Sequence, residues 1–117
     1  MREPSYFVLA ALLRGPQYGY AITQSVTELS QGRIRLAAGS LYSVIDRLVT
    51  EKLIALTGEE IVNGRARRYY GLTDAGGAAL AAEATRMAQA AQIFLDHRDA
   101  FPSVAGSWSP SWKGTPA

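Results

Sequence analysis

The chain has 117 residues, 48% apolar and 19% charged, with a formal net charge of +2, so it suits one small globular domain with an arm and is no bulk polycation. It has no cysteine, which excludes disulfides, thiolate metal sites and a Cys nucleophile. No apolar run approaches the roughly 18 residues that span a bilayer, and no basic region with a long apolar stretch opens the chain; the expectation is a cytoplasmic protein with no membrane partner.

Ser5 to Arg14 reads as a short apolar helix, preceded by Pro4, capped by Ser5 and ended by Gly15-Pro16. Phe7, Val8, Ala11 and Leu12 recur at helical spacing, so this helix is mostly core. A second helix runs from about Tyr18 to Ser30, with Ile22, Val26 and Leu29 on one face and Gln31-Gly32 at its end. Arg33 to Ala38 reads as an extended connector, or as a strand beside the later hairpin, because Ile34 and Leu36 alternate with Arg33 and Arg35. A third helix follows Gly39, with Ser40 as cap or first-turn residue. Leu41, Val44, Ile45 and Leu48 form its apolar stripe, while Ser40, Tyr42, Ser43 and Arg47 lie largely off it.

Leu53 to Glu60 and Arg65 to Leu72 read as two strands. Asn63-Gly64 between them is a strong hairpin signal, because both central positions of a type I′ turn need positive φ. A two-residue turn sets Glu60 opposite Arg67 and Glu59 opposite Arg68, pairs worth roughly 0.2–1 kcal/mol each. It also puts Leu56 on the face of Tyr69, whereas a bulge would put it on the face of Tyr70; the pattern leaves open which tyrosine is buried. Thr73 is placed to cap a fourth helix, Asp74 to about Arg98, with Asp74 near the N-terminal dipole. At ~1.5 Å per residue that helix is about 37 Å long. Leu80, Ala84, Met87, Ala91 and Phe94 recur in steps of four and three, a heptad seam. So long a helix cannot bury its apolar face on so small a core. Packing against a second copy is the economical expectation, and folding back over its own domain is the alternative. Ser103 to Ala117, rich in Ser, Pro and Gly, reads as a disordered tail in which Trp108 and Trp112 are unusual.

Little here supports catalysis. His97, the single histidine, stands near the end of the long helix beside Asp96, Arg98 and Asp99. No second histidine or cysteine completes a zinc site, and a C-terminal cation facing the helix dipole explains it. Gly76-Gly77 lacks the Lys-Ser/Thr of a phosphate loop, and no serine sits in a nucleophile elbow. No cofactor and no metal are expected. Charge is more telling. Between Arg33 and Arg68 seven basic residues (Arg33, Arg35, Arg47, Lys52, Arg65, Arg67, Arg68) stand against four acids (Asp46, Glu51, Glu59, Glu60). A compact helix joined to a basic hairpin is how a winged helix-turn-helix meets DNA: the helix enters the major groove and the hairpin arginines reach phosphate.

Three segments resemble the PadR family of bacterial transcriptional regulators, in family order and spacing. They are Leu12-Leu-Arg-Gly-Pro-Gln-Tyr-Gly-Tyr-Ala-Ile22, Gly39-Ser-Leu-Tyr-Ser-Val-Ile-Asp-Arg-Leu48 and Gly64-Arg-Ala-Arg-Arg-Tyr-Tyr-Gly-Leu-Thr-Asp-Ala-Gly76. Ser43 departs from the family's usual proline, which suits a helix's first turn, and Gly71 is unusual within a strand. The resemblance implies a dimeric repressor of the small subtype, answering to small aromatic or hydrophobic ligands at the dimer interface.

The expected architecture is mainly α with a small β-hairpin (α+β): a winged helix-turn-helix over residues 1–72, a C-terminal dimerisation helix over 73–99 and a tail over 100–117. Double-stranded DNA is the expected partner, met by Tyr20, Ser40, Tyr42, Ser43, Arg47, Asn63, Arg65, Arg67 and Arg68. Arg47 would touch phosphate or pair with a nearby acid. Leu80, Ala84, Met87, Ala91 and Phe94 would form the homodimer seam. Tyr6, Phe7, Met87, Phe94 and Phe101 would line an effector pocket. The rival reading is a winged-helix protein-interaction module without specific DNA binding, which Glu59 and Glu60 beside the wing favour.

Overall fold

Four helices and a three-stranded antiparallel sheet make up the computed structural model, which describes residues 1–101. The order is α1 (Glu3–Ala11), a 3-10 turn (Leu12–Arg14), β1 (Gln17–Tyr18), α2 (Gly19–Leu29), α3 (Ala38–Thr50), β2 (Ile54–Val62), β3 (Arg65–Leu72) and α4 (Asp74–Leu95). A last 3-10 turn covers Arg98–Ala100. The chain divides into two compact units, Met1–Glu83 and the segment from Ala84 onward, and α4 runs through the division. The tail read from Ser103 onward, with Trp108 and Trp112, lies outside the described residues.

The core of the first unit joins α1, α2 and α3 to the sheet. Val8, Leu9, Ile22, Val26 and Ile45 are fully buried, and Leu41, Leu48 and Ile54 almost so. Each such aliphatic side chain contributes about 1.5–3 kcal/mol on leaving water. Helical spacing marks Val8, Ile22, Val26, Leu41, Ile45 and Leu48 in the sequence, and these turn inward, whereas fully buried Leu9 lay off the stripe read for α1 and Phe7, read on it, is half-buried.

Two helix starts differ from expectation. Helix α1 begins at Glu3 with Pro4 in its first turn, where a missing N–H costs nothing. Ser5 is therefore not its cap but an interior residue, 3% exposed, whose hydroxyl accepts a hydrogen bond from Arg47 Nη2 at 2.6 Å. Helix α3 begins at Ala38 after Ala37 instead of following Gly39, and of the two roles read for Ser40 the first-turn one holds. At α4 the expectation holds: Thr73 Oγ1 accepts the Gly76 N–H at 3.0 Å.

The third strand also lies elsewhere than the alternation suggested. Gln17–Tyr18, not the connector after α2, pairs with β3, giving the order β1-β3-β2. The connector is held by other means. Ser30 Oγ accepts the Ile34 N–H at 2.9 Å, Arg33 pairs with Glu3, and Ile34 and Leu36 pack against the core. Its alternation reports half-burial without a hydrogen-bonded ladder. Gln17 ties β1 down, since its Nε2 donates to Ala11 O at 2.7 Å and its Oε1 accepts from Ser25 Oγ at 2.9 Å.

The hairpin turns at Asn63 and Gly64, with φ of 52° and 75°, as a type I′ turn requires. Glu59 stands opposite Arg68 and Glu60 opposite Arg67. Between Leu56 and Gly58 the register slips by one residue, leaving Thr57 as a bulge and pairing Leu56 with Tyr70. Tyr70 is the buried tyrosine, 8% exposed. Gly71 accommodates the bulge, because a Cβ there would come within 2.8 Å of Thr57 Cγ2.

Candidate nucleic-acid interface

Helix α3 is anchored by Leu41, Ile45 and Leu48 and turns Ser40, Tyr42, Ser43 and Arg47 to solvent. Two clefts flank this outward face. The first, about 410 Å³, lies between the start of α2, Tyr42 and the hairpin, and includes Tyr20, Tyr42, Asn63, Arg65, Arg67 and Arg68 in its lining. The second, about 280 Å³, is lined by Arg2, Pro4, Ser40, Ser43, Val44 and Arg47. The nine residues read as DNA contacts thus fall into two groups, six on the wing side of α3 and three on the α1 side.

On the wing side Gly19 sets how close α2 comes to α3. A Cβ there would stand 2.5 Å from the Tyr42 hydroxyl. Tyr20 is 66% exposed beside it. Arg68 pairs with Glu59 at 3.5 Å. Arg67 does not turn to the acid opposite it; its guanidinium lies over the Tyr18 ring, 4.4 Å from the centroid. Glu60 accepts the Tyr69 hydroxyl at 2.6 Å. That hydrogen bond to a carboxylate is the main reason the Tyr69 pKa lies above its ordinary value; burial does the same for Tyr70, opposed by nearby Arg68. The Arg65 side chain has no hydrogen-bond or ion-pair partner among the described residues.

On the α1 side Ser43 Oγ donates back to Gly39 O at 3.1 Å, four residues earlier in its own helix. Of the two roles expected of Arg47, pairing with a nearby acid is not what the chain shows. Arg47 donates instead to the Ser5 hydroxyl, which fixes its stem and leaves other guanidinium donors unspent. Two polar side chains of the clefts were missed by sequence reasoning. Arg2 joins Arg47 across 45 residues of chain, and no local pattern signals such a meeting. Tyr18 sits in the Gln17-Tyr18-Gly19-Tyr20 run, where Tyr20 alone was singled out.

Of the residues assigned to a dimer seam, Leu80 is 6% exposed and belongs to the core of the first unit, so it is already covered within one chain. Ala84 is half-buried, Ala91 is exposed, and Met87 and Phe94 are 38% and 37% exposed. Of the residues assigned to an effector pocket, Tyr6 and Phe7 meet edge-on at 5.5 Å and pack against the core of the first unit. Arg33 lies over Phe7. Met87, Phe94 and Phe101 belong to the second unit. Among the described residues no helix is long and apolar enough to cross a membrane.

A helix with one anchored and one polar face, preceded by a packed helix pair and followed by a two-stranded wing, defines a winged helix-turn-helix protein. Residues 8–82 match the family model described as the transcriptional regulator PadR-like family. The chain belongs to the PadR family, and it is a transcriptional regulator and not an enzyme. It is 36% identical over 78 residues to the transcriptional regulator Rv3488 of Mycobacterium tuberculosis, covering 67% of this chain and 69% of that one. Its fold is similar to that of Bacillus subtilis PadR, solved in complex with operator DNA, with a TM-score of 0.60 and 26% identity over 68% of this chain and 45% of that one. A PadR-like transcription factor from Bacteroides fragilis gives a TM-score of 0.63 and 27% identity over 80% and 86%.

Proposed function

We propose that this regulator is a homodimeric repressor that binds a palindromic operator in double-stranded DNA and leaves it when a small aromatic or hydrophobic effector binds. The observation that carries the reading is the convergence of all nine candidate contacts on two clefts along the outward face of α3. On this reading α3 enters the major groove, with Ser40, Tyr42 and Ser43 at base edges or phosphates. Tyr20, Arg47 and the wing residues Asn63, Arg65, Arg67 and Arg68 grip the backbone on either side. The operator complex of the Bacillus subtilis relative supports the choice of DNA as partner.

Exposed Met87, Ile93 and Phe94 on α4 support a second copy as the partner of that helix. Two copies would set their α3 helices into successive major grooves about 34 Å apart. The effector would sit where the copies meet, against Met87, Phe94 and Phe101. The reading of a protein-interaction module keeps one observation in its favour, the pairing of Arg68 with Glu59.

An electrophoretic shift separates the two. The DNA upstream of this protein's own gene is compared with a scrambled duplex of equal length at several salt concentrations. Preferential retention with a two-fold footprint is expected, and absence of any binding at low salt would leave the interaction module.

A further inference from the structure

The wing face that bears Arg67 is built so that the acid opposite it is already occupied. Glu60 is the direct cross-strand partner of Arg67, the position at which an opposite-charge pair forms by default. Its carboxylate instead accepts the Tyr69 hydroxyl at 2.6 Å. Tyr69 lies two residues along β3 from Arg67, so both side chains leave the same face of the strand. Tyr18 pairs with Tyr69 across the β1–β3 edge and meets its ring edge-on at 5.6 Å. Over Tyr18 lies the Arg67 guanidinium, 4.4 Å from the centroid, where the negative face of the ring attracts it. Arg67 also approaches the Tyr69 hydroxyl closely enough to oppose the rise in its pKa, and stacking on the Tyr18 ring leaves its remaining in-plane N–H donors for another acceptor. It also lines the groove shared with Tyr42 and Arg65.

Resting on the DNA-binding reading above, we propose that Tyr69 and Tyr18 are positioning residues of the wing. Tyr69 occupies Glu60, Tyr18 holds the guanidinium, and together they present Arg67 to a DNA phosphate. Without the Tyr69 hydroxyl, Glu60 would face Arg67 across the ladder with nothing else to hold it. The ion pair would then form and one phosphate contact would be withdrawn.

The test uses a short duplex of random sequence, because the phosphate contribution is independent of sequence and appears as the slope of log affinity against log salt. Arg67→Ala should reduce the slope by about one. Tyr69→Phe, which keeps the ring, should reduce it by the same amount. Adding Glu60→Gln to Tyr69→Phe should restore it, whereas Glu60→Gln alone should leave the slope unchanged. Tyr18→Leu, which removes the ring face beneath the guanidinium, should lose affinity several-fold. Thermal unfolding of each variant checks that it is folded.

A merely structural role for Tyr69 would not be rescued by removing the charge of Glu60. Three results overturn the proposal: an unchanged slope in Tyr69→Phe, a loss that Glu60→Gln does not recover, or an Arg67→Ala slope equal to that of the unaltered protein. In each of these the DNA reading survives. If the unaltered protein fails to retain the duplex even at low salt, both readings fall together.

Discussion

Replacing Gly76 by alanine tests how the wing is joined to α4. In an open first turn the exchange would gain up to about 1 kcal/mol from helix propensity. At this position a Cβ would collide with the carbonyl of Leu53 and come within 2.9 Å of Leu72 Cδ1. The carbonyl is backbone and has no flexible end to yield. It also accepts the Thr73 N–H at 3.1 Å, while Thr73 Oγ1 donates to Lys52 O at 2.7 Å. Lifting α4 away to make room therefore strains the bonds that seat the helix on the start of β2. Overpacking costs about 1–3 kcal/mol and a lost hydrogen bond about 1 kcal/mol. Set against the propensity gain, the net loss is about 2 kcal/mol, a fall in Tm on the order of 10 °C. Gly77 is the control, since a Cβ there meets only Leu72 Cδ2 at an ordinary 3.9 Å. Urea unfolding followed by circular dichroism should show Gly77→Ala neutral or stabilised and Gly76→Ala clearly destabilised. Equal midpoints for the two would refute the packing argument.

Other outcomes follow from the same geometry. Gly19→Ala should displace the flexible end of Tyr42 rather than unfold the protein. Operator affinity is expected to fall about tenfold, the equivalent of one contact of about 1.4 kcal/mol, with Tm little changed; unchanged affinity would remove Tyr42 from the interface. Burial raises the Tyr70 pKa above its ordinary 10.0, so the unfolded chain gives up that proton first. Its contribution is intact below pH 10 and drains away as pH rises through the folded value. Tyr70→Phe should flatten the alkaline fall in unfolding free energy, and an unaltered slope would count against it. If α4 carries the dimer contact, Met87→Asp and Phe94→Asp should each halve the mass seen by sedimentation equilibrium, and a mass unaltered by both would exclude that seam.

Several local features were readable from a few adjacent residues, although the cap read at Ser5 was not among them. Asn63-Gly64 demands a positive-φ turn, Thr73 offers a hydroxyl three residues before an N–H, and Gln31-Gly32 ends α2 with left-handed backbone at both residues. The polar face of α3 and the basic wing were legible for the same reason, since helix and strand periodicities assign faces within a dozen residues. Leu80 shows where periodicity falls short: a heptad spacing cannot say which of its positions the chain's own core consumes.

The sequence by itself determined the four helices, the hairpin turn, the cap of α4 and the polar faces of α3 and the wing, because backbone torsion preferences and apolar spacing are local properties. Only the tertiary structure decided the bulge at Thr57, the burial of Tyr70 over Tyr69 and the choice of Gln17–Tyr18 as third strand. It also decided that Arg47 rests on Ser5 and Arg67 on Tyr18. These depend on groups 42 and 49 residues apart that meet only once the core has closed, where the nearest acceptor or ring face in space, not in sequence, takes the donor.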